Sequence, residues 1–268
     1  IQTIKAAKEY DINQLQLSHE IIHDLREIKT EKVCAQVNEL VNLAHSEEIN
    51  EVLLWDHSLY DIDYYPERFR TGPGGTIDLD NTEFWEWLKD DYRQMLDRVS
   101  EADGLVLTFI ETGAYAERQF SKKMKSSEEK LAAVVNAISD VLIGERKKKL
   151  YIRTFAYSEE EYKGTTGCIE YLKYDEVILM MKETPHDFFL THPDNYYIQK
   201  MDRPVIVEFD LGNEYSGQGV VANTWPEHVM KRWNSYIHCP NVTGYVARTD
   251  RYGNTSIVTL LMLSNCTP

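Results

Sequence analysis

The sequence predicts an α/β fold, a (β/α)8 TIM barrel that lacks its first strand in this stretch of chain. Three observations predict it. Seven short apolar runs, near residues 14, 52, 105, 151, 178, 206 and 243, recur with helical pattern between most neighbours. Strand–helix alternation at such spacing builds a parallel sheet. Acidic or histidine residues end at least five of the runs, and barrels carry their chemistry at the C-terminal ends of their strands. No GxGxxG or P-loop follows any run, which argues against a doubly wound nucleotide-binding sheet. At 268 residues the chain suits one large core, and no linker or repeat divides it, so 1–268 reads as a single domain.

The elements follow in order. Ile1 to Glu9 is helical in pattern and does not open on Met, so the chain reads as a fragment of a longer protein with an N-terminal segment missing. Gln14 to Ser18 alternates as a strand and leads into His19 and Glu20. Thr30 can cap a helix to about His45, with Val33, Val37, Leu40, Val41 and Ala44 on one face. Glu51–Trp55 is a strand leading into Asp56 and His57, followed by a loop, Tyr60 to Gly75, long enough to suggest a functional role. Asn81 or Thr82 opens a helix striped by Phe84, Leu88, Tyr92, Met95 and Val99. The strand Gly104–Phe109 runs into Ile110 and Glu111, and Ser126 and Glu129 form a capping box for a helix through Ile143.

Leu150–Phe155 is a strand bearing Arg153, and a weaker helix is expected around Ile169–Leu172. Val177–Met181 and Val205–Phe209 are short apolar strands, the first followed by Asp187 and the second by Glu214. Thr224 and Pro226 begin a helix over Trp225 to Ile237, and Val242–Val246 is the last strand.

Composition narrows the chemistry. A formal net charge of −15 argues against nucleic acid, whose binding needs basic patches. No apolar stretch approaches the ~20 residues of a membrane span. The four cysteines, Cys34, Cys168, Cys239 and Cys266, fit no metal spacing and read as buried free thiols, with a structural disulfide as the alternative. The 17 tyrosines and five tryptophans include rings able to pack on a sugar face while a polar tip bonds hydroxyls.

Carboxylates delivered to one cleft by separate strands suit glycoside hydrolysis, in which one acid protonates the leaving oxygen and, in inverting enzymes, a base activates water on the opposite face. Glu111, Asp187 and Glu214 are the candidates. Arg153 and Lys182, on strands of the same sheet, either grip a substrate carboxylate or offset these acids. His19, Trp55, Asp56, His57 and Tyr215 are further candidates for holding sugar hydroxyls and ring faces. A metal centre built from His19, Asp56 and His57 is the rival, without the H-x-H pair usual in barrel metallohydrolases. A carbohydrate-binding barrel without turnover is a third reading. No G-x-S-x-G elbow supports a serine nucleophile.

KETPHDF at 182–188 and EFDLGNEYSGQ at 208–218 resemble the two acid-bearing motifs of glycoside hydrolase family 67, the α-glucuronidases. Lys182, Pro185, Asp187, Glu214, Tyr215 and Gln218 stand in matching order. LYIRTFAY at 150–157 resembles the family's arginine-bearing strand, and Gly104–Glu111 the strand that ends in its general acid. The resemblance implies a (β/α)8 barrel, hydrolysis with inversion and without metal or cofactor, and removal of glucuronic acid from xylan-type oligosaccharides. It makes Glu111 the acid, Asp187 or Glu214 the base, and Arg153 a uronate-binding residue. Leu107 departs from the pattern, because the family carries a lysine four residues before the acid.

Overall fold

Every apolar run forms a strand. The computed structural model describes residues 1–211, 215 and 225–248. Thr224, Glu214, Gln218 and Cys266 lie outside the described residues. The strands are β1 (Gln14–Gln16), β2 (Glu51–His57), β3 (Gly104–Thr108), β4 (Lys149–Arg153), β5 (Ile178–Lys182), β6 (Val205–Asp210) and β7 (Val242–Arg248). They pair in sequential order, each parallel to the next. The helices are α1 (Gln2–Glu9), α2 (Glu31–Ser46), α3 (Thr82–Arg98), α4 (Ser127–Ser139), α5 (Glu159–Gly167) and α6 (Pro226–Tyr236). Among the described residues this is a (β/α)8-type barrel short of one strand, with β1 and β7 at the two edges of the curl.

Both faces of the central strands are buried. Val52, Leu54, Leu105, Leu107, Ile152, Leu179 and Val207 point outward into one large core shared with the helices. Leu53, Trp55, Val106, Tyr151, Met180 and Ile206 alternate with them and meet in a second cluster inside the curl. Each such aliphatic side chain contributes about 1.5–3 kcal/mol on full burial. The outer core between strands and helices buries many more such side chains than the inner cluster and therefore dominates stability. A cavity of about 1360 Å³ runs from the side chains of α1, β1 and β7 up to the strands' C-terminal ends.

Two local expectations are corrected. The helix expected at Ile169–Leu172 is instead α5, with only a 3₁₀ turn at Cys168–Tyr171. Ser158 starts α5, accepting from the Glu161 N–H at 3.2 Å, while Glu161 Oε2 accepts from the Tyr157 N–H at 3.0 Å. Gly164 and Gly167 dilute the helical signal behind that start. The long loop after β2 is packing rather than cleft. Tyr65 and Phe69 are buried against Phe84 and Trp87, and the Tyr65 hydroxyl accepts from the Tyr60 N–H at 2.8 Å. The cap at Ser126 forms as expected, with both halves of the capping box present. Cys34 and Cys168 are buried free thiols, and Cys239 is free and half-buried.

Behind β2 lies a buried ion cluster. The Arg26 guanidinium donates to Asp24 Oδ1 at 3.1 Å and to Asp56 Oδ1 at 2.9 Å. Tyr92 on α3 donates to Asp56 Oδ2 at 2.5 Å, and His57 Nδ1 lies 3.0 Å from Asp24 Oδ2. Removing one partner of such a set strands the others without solvent. Arg26→Met is expected to cost about 3–5 kcal/mol of unfolding free energy in a urea titration. The triple variant Asp24→Asn, Arg26→Met, Asp56→Asn is expected to recover most of that loss.

Candidate active site

The strand pleat decides which charges enter the barrel. Tyr151, Met180 and Ile206 face the inner cluster, so the residues two positions on, Arg153, Lys182 and Glu208, share that face one layer higher. Register sets Lys182 opposite Glu208 and Met180 opposite Arg153. All three charges are buried, and buried ions must be paired.

They are paired in a fixed pattern. Arg153 donates from Nε and Nη2 to the two oxygens of Glu208, at 2.8 and 2.7 Å, a two-pronged bond. Its guanidinium lies 5.3 Å from the Trp55 ring centre and 4.9 Å from that of Phe155. Lys182 Nζ donates to Asp187 Oδ1 at 2.5 Å and lies 3.4 Å from the Phe155 ring centre and 4.0 Å from that of Phe188. Burial and the neighbouring Arg153 charge outweigh the pull of Glu208 and Asp187 and bring the Lys182 ammonium down to about 8. Burial would raise Asp187 and Glu208, yet both carboxyls stay below their ordinary range. Lys182, the Tyr215 hydroxyl and the Phe188 N–H lower the first, and Arg153 and Lys182 the second.

The turn carrying Asp187 is tied down behind. Asn195, fully buried, donates Nδ2 to the Lys182 carbonyl at 2.9 Å and its N–H to the Glu183 carbonyl at 2.9 Å. Tyr236 on α6 also donates to the Glu183 carbonyl, and Thr184 Oγ1 donates to the Asp187 carbonyl at 2.9 Å. Asp187 therefore projects from a braced turn, with Oδ2 accepting from the exposed Tyr215 hydroxyl.

Glu111, beyond the end of β3, is the second acid. Both line the same cavity. Glu111 has φ +62°, a left-handed conformation that costs a non-glycine residue energy. The other non-glycine residues described with positive φ, Asp11, Glu48 and Lys147, all precede strands; Glu111 follows one. Its Oε1 accepts from the Tyr157 hydroxyl at 3.3 Å. Partial burial first, then the charge of Glu111, pushes the Tyr157 phenol up to about 12, so it remains a donor.

The structure thus brings Glu111, Asp187, Arg153, Lys182 and Tyr215 to one cleft, and His19 and Trp55 line it too. The His19 and Trp55 rings meet edge to face with centres 4.1 Å apart. Asp56 and His57 are placed elsewhere. Asp56 has even side-chain parity with the outward residues of β2 and is fully buried against Arg26 and Tyr92, while His57 is turned toward Asp24. The rival metal centre is not assembled: Asp56 is bonded to Arg26 and Tyr92, and among the described residues no group of three His, Cys, Asp or Glu side chains is placed to hold a metal ion. Leu107 packs in the outer core, so a lysine at that position would not enter the cleft; Thr108 shares the inner face with Val106. Sequence reasoning missed Glu208, Phe155 and Tyr157. The inner parity of Glu208, opposite Lys182, was the available signal.

No protein-family model matches the chain, and no curated protein matches its sequence. Solved structures do match it in shape. An O-GlcNAc hydrolase mutant from Thermobaculum terrenum superposes with TM-score 0.61 and 12% identity, over 98% of this chain and 55% of that one. A GH138 enzyme targeting pectin rhamnogalacturonan II gives 0.56 and 10%, over 94% and 30%. A GH5-4 broad-specificity endoglucanase from an uncultured bacterium gives 0.55 and 9%, over 98% and 83%. The chain therefore spans about a third to a half of the first two. These are glycoside hydrolases, with no α-glucuronidase among them. A homocysteine methyltransferase from Escherichia coli shares the same shape, so likeness at this identity establishes the fold.

An NMR titration of lysine side chains is expected to find one group, Lys182, titrating near pH 8. In Asp187→Asn that group is expected to titrate lower still, because an attracting carboxylate is lost while Arg153 stays.

Proposed function

We propose that this cleft hydrolyses a glycosidic bond of a plant-polysaccharide oligosaccharide, with Glu111 as general acid and Asp187 as base. The observation that carries the reading is the convergence of Glu111 and Asp187, from the ends of different strands, on one cavity floored by Trp55 and paired charges. The glycoside hydrolases among the fold's neighbours support it. So does the state of Asp187, which Lys182, Tyr215 and the Phe188 N–H keep ionised, as a base must be.

In the inverting scheme Glu111 passes its proton to the leaving oxygen as the sugar–oxygen bond breaks. Asp187 takes a proton from a water that attacks the anomeric carbon from the opposite face, which requires the carboxyl groups to stand about 6.5–9.5 Å apart. Glu214 is the second candidate base; it lies outside the described residues. Lys182 holds Asp187 in place and prevents its protonation in the resting cleft.

The α-glucuronidase reading assigns Arg153 and Lys182 to a substrate uronate. Both already carry a protein carboxylate, Glu208 and Asp187, so a uronate would share these cations rather than meet bare charges. That pairing favours, as a second reading, a neutral terminal sugar on the same catalytic acids.

Glu111→Gln and Asp187→Asn are each expected to lower turnover about 10²–10⁴-fold. The melting temperature is expected to stay close to that of the parent in Glu111→Gln and to fall in Asp187→Asn, which leaves the buried Lys182 without its carboxylate. Wild-type rates in both would sink the assignment. The substrates should be uronic-acid-capped and neutral oligosaccharides side by side. Free uronic acid as product supports the glucuronidase reading, a neutral sugar the second, and binding without product a barrel that has lost turnover. The kcat/KM profile is expected to fall above pH 8, as Lys182 loses its charge, and Lys182→Arg is expected to move that limb upward.

A further inference from the structure

We propose that Tyr157, Phe189 and Tyr215 form a sugar-stacking subsite at the rim of the cleft, so that the ligand is an oligosaccharide whose neutral rings extend outward past the two acids. This rests on the hydrolase reading for the position of the scissile bond, but not for the existence of the subsite.

Few large apolar side chains are exposed among the described residues, and three of them are Tyr157 (59%), Phe189 (41%) and Tyr215 (42%). They come from separate segments, following β4, β5 and β6 respectively. The barrel therefore collects them at the same end as the acids. The floor residues are the reverse: Trp55, Arg153, Lys182 and Glu208 are all buried. Passing outward, the cleft changes from paired charges, through Glu111 and Asp187, to partly exposed aromatic residues.

The two tyrosines are oriented by the acids themselves. The Tyr157 hydroxyl donates to Glu111 and the Tyr215 hydroxyl to Asp187. Asp187 is also close enough to act electrostatically on Tyr157. Each phenol is thus held at its polar tip while much of the residue stays exposed, the arrangement in which an aromatic residue presents an apolar face and a wet edge. Phe189 extends this surface. Its ring centre lies 4.3 Å from that of Tyr215, with the planes inclined by 32°. The C–H face of a pyranose buries such a surface without requiring charge.

Phe189 bonds to neither acid through its side chain, so it is the clean test. In the Glu111→Gln background, binding of xylose, glucose, xylotetraose and cellotetraose is measured by titration calorimetry. At least one tetraose is expected to bind more tightly than its monosaccharide. Phe189→Ala is expected to weaken that tetraose about three- to ten-fold and leave the monosaccharide unchanged, while Phe189→Tyr retains binding. Tetraoses that bind no better than monosaccharides, or a Phe189→Ala variant that weakens neither or both alike, would overturn the subsite. Because the assay reads binding, a parent protein that releases no product from any of these sugars would end the hydrolase assignment without deciding this result.

Discussion

Four charges at the mouth of a barrel can be desolvated only if they answer one another, and the arrangement of Arg153, Glu208, Lys182 and Asp187 follows from that constraint. Pleat parity drives three of them inward from β4, β5 and β6. Arg153 then closes on Glu208 with two bonds, and Lys182 on Asp187 with one. The aromatic rings of Phe155, Phe188 and Trp55 pack over the cations and exclude water from them. Such pairs add little net stability over apolar packing. Their value lies in fixing where each carboxylate points.

That fixing separates the two candidate catalytic acids. Asp187 is braced from behind by Asn195, Tyr236 and Thr184 and is held ionised by its donors. Glu111 stands in a strained backbone conformation beyond β3 and accepts from the exposed Tyr157 phenol. Different surroundings for two carboxyl groups are what acid and base roles require. The ion cluster of Asp24, Arg26 and Asp56 obeys the same pairing rule on the other side of β2, where it joins β2 to α3 and contributes architecture instead of chemistry.

Much of this was legible beforehand. Fully buried parallel strands read as short apolar runs, and all seven runs became strands in sequential order. Ser126 and Glu129 announced their helix through a local cap. α5 was misplaced because its start depends on Ser158 and Glu161 while two glycines weaken the pattern behind them. The tyrosines and prolines after β2 suggested a working loop, yet Tyr65 and Phe69 are core residues, since composition does not reveal which way a ring turns.

The sequence by itself determined the strand and helix periods, the acids after β3 and β5, and the cations on β4 and β5, because these depend on near neighbours in the chain. Only the tertiary structure decided who pairs with whom. Arg153 and Glu208 lie on strands that are not adjacent, with β5 between them. Asp56 and Trp55 are consecutive, yet one faces the helices and the other the cleft. Curl, register and pleat together set those partners, and no local pattern encodes them.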